Sequence, residues 1–258
     1  MFARMNRLAL PLLLLASSLA AARLRPLSSA SVDATSQGGP TAQSGDQILD
    51  GIGETSLIAR YRFDGNGEDA SRNQFHAVIR GHGAVFVEDA PGRRALLFTG
   101  DGSHAELPAA ALSGEEALAV VGWFYLPTRA SGPLFDFGRD ASSHFTAFVD
   151  AQQQLRARIV AGGRTRGETE PRPLIENRWS HFAIVFDPAR KSLATYIDGV
   201  RAAEVVNVEA TLAELAPRGS SAAGASGRLY FGRAIRDGEP TLHGRLRDVR
   251  LYRVVLGD

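Results

Sequence analysis

From Leu57 onward the chain is a series of short apolar runs separated by Gly, Asp, Asn and Pro, with almost no helical periodicity. Runs of this kind, spaced roughly 8–12 residues apart, read as strands that bury apolar faces by stacking or closing sheets. Leu57, Ala59, Tyr61 and Phe63 alternate and are expected on one face. The run LAVVGWFYL (Leu118 to Leu126) is apolar on both faces, as a strand in the middle of a sandwich should be. The run WSHFAIVFD (Trp179 to Asp187) has the same character. Leu193–Ile197 and Val200–Val206 flank Asp198-Gly199, a pair that tolerates positive φ and so favours a two-residue hairpin turn. Leu229–Phe231 and Leu246–Val254 supply the last strands, with Asp248 interrupting the apolar series Leu246, Val249, Leu251, Val254. One short helical turn is expected at Thr211–Leu215, where a Thr cap precedes Leu212 and Leu215. The fold class is therefore all-β: an antiparallel two-sheet sandwich or a barrel.

The N-terminus has a different character. Arg4 and Arg7 precede the apolar run Leu8–Leu19, and Ala20-Ala21-Ala22 follow it. Basic, apolar and small, in that order, is the pattern of a secretory signal peptide over residues 1–22. An uncleaved anchor is the alternative, although the run is short of the roughly 20 residues that span a bilayer. Residues 23–55 are small, polar and turn-prone, and read as a disordered linker. No later stretch is apolar enough to span a membrane, so none is expected after signal cleavage. The expected location is periplasmic or secreted, in a bacterium. The chain has no cysteine, which excludes disulfides, thiolate metal sites and cysteine nucleophiles, and leaves the core to hold the domain together. A net charge of +1 gives no bulk field toward nucleic acid or acidic membranes. Lys191 is the only lysine; coding bias explains the arginine excess better than any ligand does.

Three ordered segments narrow the fold. Tyr61-x-Phe63-Asp64-Gly65 precedes Asp69-x-Ser71-x-Asn73-x-x-His76-Ala77. Trp179-x-His181-x-Ala183-x-Val185 precedes Tyr196-x-Asp198-Gly199. Phe231-Gly232 precedes the closing Gly244-x-Leu246-x-Asp248-Val249-Arg250-Leu251-Tyr252. With Leu96-x-Phe98-x-Gly100, Trp123 and Phe135-x-Phe137-Gly138, this order resembles the laminin-G-like jelly-roll domains of the concanavalin A-like lectin/glucanase superfamily. The resemblance covers residues 56–258. It implies a two-sheet antiparallel jelly-roll sandwich with one concave sheet, usually non-catalytic. Such domains bind glycans or protein partners and often accompany bacterial glycoside hydrolases or adhesins.

The resemblance also implies one structural calcium ion (Ca2+), with Asp69 and Asn73 from a loop and Asp248 from the last strand as its ligands. The loop Asp64–Asn73 carries the hard oxygens calcium requires. A polar turn is the equal alternative, with Asn73 bonded locally and Asp248 paired to Arg247 or Arg250. An EF-hand does not fit, because Asp69 and Phe75 fall where Gly and Glu are needed. His76 and His181 could pair as metal or catalytic groups, but in the resembling family both positions belong to the strand pattern, so they are expected half-buried and bonded to backbone. Trp123 and Trp179 sit within apolar runs and are expected in the core rather than stacked on sugar. The ligand-binding candidates are loop or strand-edge polar residues: Asp101, Arg139, Asp140, His144 and Arg236.

A retaining glucanase of this fold needs two carboxylates about 5–5.5 Å apart, usually within Glu-x-Asp-x-x-Glu. Neither Phe135–Asp140 nor Glu204–Glu209 contains that run. No Gly-x-Ser-x-Gly elbow or His-Glu-x-x-His motif occurs. The expectation is a binding domain without catalytic residues, its partner a polysaccharide or glycoconjugate, or else an envelope protein; a glycoside hydrolase in its own right is the remaining alternative, since a catalytic set can assemble from distant residues. The chain stops at Asp258, just after the closing strand, where resembling domains often continue. Three readings of that ending stay open: a natural terminus, a truncated gene, or the front of a longer glycoside hydrolase to which this module is accessory.

Overall fold

The computed structural model describes residues 56–217 and 228–253. The expected signal peptide (1–22), linker (23–55), the loop 218–227 and residues 254–258 lie outside the described residues. In chain order the strands are β1 (Leu57–Tyr61), β2 (Val78–Arg80), β3 (Ala84–Ala90), β4 (Arg93–Thr99), β5 (His104–Leu107), β6 (Leu118–Tyr125), β7 (Gly132–Asp140) and β8 (Ser143–Val149). They continue as β9 (Gln154–Ala161), β10 (Arg164–Glu168), β11 (Arg172–Pro173), β12 (Trp179–Asp187), β13 (Ser192–Ile197), β14 (Val200–Val206), β15 (Arg228–Phe231) and β16 (His243–Tyr252). The first eight-stranded sheet runs β14-β13-β12-β6-β16-β4-β3, with β1 also on β16. The second runs β10-β9-β8-β7-β15-β5-β2, with β11 also on β9.

The inner faces meet through aromatic rings. Tyr61 and Phe63 from the first sheet side contact Phe231 from the second at 5.8 and 6.0 Å, and Phe145 meets Phe186 at 5.9 Å. Each of these five rings is fully buried. Truncating one such Phe to Ala costs about 3–5 kcal/mol, so this seam carries much of the stability that a cysteine-free domain needs. β6 lies centrally between β12 and β16, which is why it is apolar on both faces.

Local chemistry sets the connections. Asp198 and Gly199 adopt φ of 51° and 80°, the conformation expected of the hairpin turn between β13 and β14. Thr211 and Glu214 form a reciprocal capping box on the single-turn helix α1 (Leu212–Leu215). Two expectations are corrected. In β1 a register shift between Leu57 and Ala59 buries Ile58, and Leu57 is only partly buried. In β16 the break in rhythm at Asp248 is a bulge between Arg247 and Arg250, with Asp248 at φ 43°. The extra residue lets Leu246, Val249 and Leu251 all reach the core.

Candidate ligand-binding cleft

Strand β8, SHFTAFV, alternates cleanly. Phe145, Ala147 and Val149 point into the core, so His144, Thr146 and Phe148 point outward. Register places Arg158 and Val160 of β9 opposite Thr146 and His144, and Asp136 of β7 opposite Thr146. These outward side chains floor a cleft of about 380 Å³. Its walls come from Ser131–Pro133, the turn after β8 and the loop preceding β16. That loop closes in because Gly132 sits at φ 112°, where a Cβ would lie 2.5 Å from the Thr241 carbonyl carbon. A glycine is required there for the close backbone approach.

Asp136 is the buried anchor of the cleft, 2% exposed. One of its oxygens lies 2.6 Å from His144 Nδ1. The other accepts the Ile235 N–H at 2.9 Å, which ties the far loop to β7. Thr146 Oγ1 donates inward to the Phe135 carbonyl at 3.0 Å. The Arg158 guanidinium lies 4.9 Å from the Phe148 ring centroid and donates to Glu168 at 2.8 Å. At the rim Arg236 approaches Glu239 at 3.8 Å. Asp150 accepts from Arg156 at 2.9 Å and from the Gln152 and Gln154 amides.

Of the five ligand candidates, His144 and Arg236 line this cleft. The other three serve local structure. Asp101 accepts from the Ser103 hydroxyl and from its amide, and these bonds hold its carboxyl below the usual range. Arg139 donates to the Ala213 and Glu214 carbonyls at 3.2 and 2.9 Å, fastening α1 to β7. Asp140 accepts from the Ser142 hydroxyl at 2.6 Å and its amide at 2.8 Å, forming a turn. The sequence reading did not assign Asp136, Thr146, Phe148 or Arg158 to a site. The alternation within SHFTAFV and QLRARIVA is the signal that would have found three of them.

The calcium set does not fit an oxygen cage. Asp69 accepts four donors: the amides of Arg60, Ser71 and Phe75 and the Ser71 hydroxyl, at 2.8–2.9 Å. Those four fill the lone-pair positions of its carboxylate. Asn73 turns its amide nitrogen to the Leu57 and Ile58 carbonyls at 3.1 and 2.8 Å. Asp248 is held by two guanidinium groups, Arg60 and Arg250, each at 2.8 Å. Burial opposes its charge, but bonds from Arg250 and Arg60 outweigh burial and lower its pKa. Arg60 was not foreseen as its partner, and Arg247 pairs with Asp89 instead. His76 is exposed rather than half-buried; its Nδ1 accepts the Asp69 amide at 3.1 Å.

The tryptophans are also corrected. Trp123 and Trp179 lie half-buried on the outer face of the first sheet, while their neighbours Phe124 and Phe182 fill the core. The Arg247 guanidinium lies 4.4 Å from the Trp179 ring and 5.4 Å from Trp123. His181 is half-buried edge-on to Trp123 at 5.2 Å, and burial lowers its pKa.

Two antiparallel sheets packed face to face, with a cleft on the outer face of one, define a lectin-like jelly-roll sandwich. The chain belongs to the concanavalin A-like lectin/glucanases superfamily, whose family profile matches residues 99–258. Among solved structures, domain 4 of AbnA, a GH43 extracellular arabinanase from Geobacillus stearothermophilus in complex with arabinotriose, is similar with TM-score 0.58 at 19% identity. That alignment covers 78% of this chain and 94% of that one. The CBM40 of the Ruminococcus gnavus IT-sialidase, bound to α2,3 sialyllactose, has TM-score 0.50 at 17% identity, over 63% of this chain and 91% of that one. Trypanosoma rangeli sialidase has TM-score 0.53 at 17% identity, over 79% of this chain and 31% of that one. At these identities the likeness is one of fold. No curated protein matches the chain by sequence.

Proposed function

We propose that this protein is a carbohydrate-binding module that holds its glycan in the cleft over Asp136, His144, Thr146, Phe148 and Arg158 and performs no covalent chemistry. The observation that carries the reading is the cleft itself, about 380 Å³ with an apolar wall and a buried, oriented polar pair. Binding sites for small ligands commonly combine these features. The similar arabinanase and sialidase domains, each solved with an oligosaccharide, support it. Calorimetric titration of the purified protein against a panel of oligosaccharides tests it; absence of heat with every glycan would defeat it.

Export rests on the N-terminal pattern alone, and N-terminal sequencing of the mature protein would test cleavage after the Ala20–Ala22 segment. Among the described residues no helix is long and apolar enough to cross a membrane. An envelope-protein partner is the second reading. It is favoured by the outer face of the first sheet, where Trp123, Trp179, Tyr125 and Arg247 cluster. Trp, Tyr and Arg are the residue types enriched at interface hot spots. Loss of partner capture in Trp179→Ala, with glycan binding intact, is its expected signature.

A further inference from the structure

We propose that the cleft selects neutral, hydroxyl-rich glycans over acidic ones, because its oriented side chains present hydrogen-bond acceptors and neither of its arginines lacks a carboxylate neighbour. The inference rests on the carbohydrate-binding reading of the same cleft.

His144 carries the argument. Its Nδ1 lies 2.6 Å from the carboxylate of Asp136, which is 2% exposed. The second Asp136 oxygen already accepts the Ile235 amide at 2.9 Å. An ionised carboxylate only accepts, so in the neutral ring the proton sits on Nδ1. The other nitrogen, Nε2, is then a bare lone pair on the open side of the ring. Beside it, Thr146 donates its only proton inward to the Phe135 carbonyl at 3.0 Å. With that proton used, Thr146 Oγ1 has only lone pairs left to offer. A ligand that meets these two atoms has to donate, and sugar hydroxyls do so.

The charges point the same way. The cleft is lined by three carboxylates, Asp136, Asp150 and Glu239, and by two guanidinium groups, Arg158 and Arg236. Arg158 is bound to Glu168 at 2.8 Å, and Arg236 lies beside Glu239 at 3.8 Å. Recognition of a carboxylate by arginine uses the two-pronged face of a guanidinium. Arg158 already directs its Nε donor to Glu168, and a sugar carboxylate would compete with that partner and face the lone pairs of His144 and Thr146. Asp136 is thus a positioning residue: both its oxygens are engaged by protein groups, and it acts by holding the tautomer of His144.

The test is titration calorimetry of the full-length protein at pH 7.5 with arabinotriose, lactose and sialyllactose. The neutral sugars that bind are expected to do so at least tenfold more tightly than sialyllactose. His144→Phe, which keeps the bulk and removes the acceptor, is expected to lose at least tenfold for the neutral sugar. Asp136→Asn releases the tautomer, and its ratio of neutral to acidic affinity is expected to fall. Nitrogen NMR of the His144 ring is expected to show the Nδ1–H form in the native protein and a mixture in Asp136→Asn. Sialyllactose binding as tightly as lactose, or unchanged neutral binding in a folded His144→Phe, overturns the selectivity and leaves the carbohydrate reading standing. No binding of any neutral or acidic glycan overturns both.

Discussion

Asp248→Asn isolates one electrostatic arrangement on which the closing strand depends. Arg60 and Arg250 are directly opposite each other across β1 and β16. Like charges so placed repel, and the bulge sets Asp248 between them, 2.8 Å from each. The three side chains are 27–32% exposed, so the cluster lies between a surface pair and a buried one. Removing one partner costs about 0–1 kcal/mol at the surface and about 3–5 kcal/mol when buried. About 2 kcal/mol is therefore expected, or roughly 4–8 °C in Tm for a domain of this size. Asn tolerates the left-handed backbone at φ 43° at least as well as Asp does, so the substitution removes charge without adding strain. Asp248→Ala is expected to lose about 1–2 kcal/mol more, for the backbone. The pH dependence follows from the lowered pKa of Asp248. The unfolded carboxyl titrates near about 3.9. The stabilisation is therefore complete above that value and disappears as pH falls through the lower folded value. Thermal unfolding followed by circular dichroism at pH 7 and in acid is the assay. Equal melting of Asp248→Asn and the parent protein at pH 7, or a difference that does not shrink as pH falls below about 3.9, would refute the reasoning.

Burial lowers the pKa of His104 and of His181. The unfolded state then binds more protons below about pH 6.5, so stability should decline as pH falls from about 6.5, and His104→Gln should flatten that slope in urea titrations. Gly132→Ala would force its new Cβ into Thr241 and Leu242 at 2.5–2.6 Å. A loss of about 1–3 kcal/mol and of glycan binding is expected, whereas Gly114→Ala, outside the cleft and with open space around it, should keep its binding. Because protein donors already fill Asp69, neither calcium nor chelator should move the melting temperature; a calcium-dependent rise abolished by Asp69→Ala would reverse that reading.

Much of the architecture can be read along the chain because its causes are local. The Asp198-Gly199 turn, the Thr211–Glu214 cap and the apolar strands 118–126 and 179–187 each depend on neighbouring residues. So does the order of motifs that resembles the lectin-like sandwiches. What local pattern could not decide was direction and company. A strand apolar on both faces does not say which face meets the core, so Trp123 and Trp179 read as interior although they lie outside. Asp248 read as a metal ligand or a local partner, and only the pairing of β1 with β16 brings Arg60 to it. The cleft is the clearest case. Asp136 and His144 meet across one hairpin, but the loop that walls them arrives about 100 positions later and is tied to β7 through the Ile235 amide on Asp136 and the Gly232 amide on the Leu134 carbonyl. Sequence alone determined a sandwich of strands; tertiary structure decided which polar residues share a face, because side chains far apart in the chain become neighbours only once both sheets have formed.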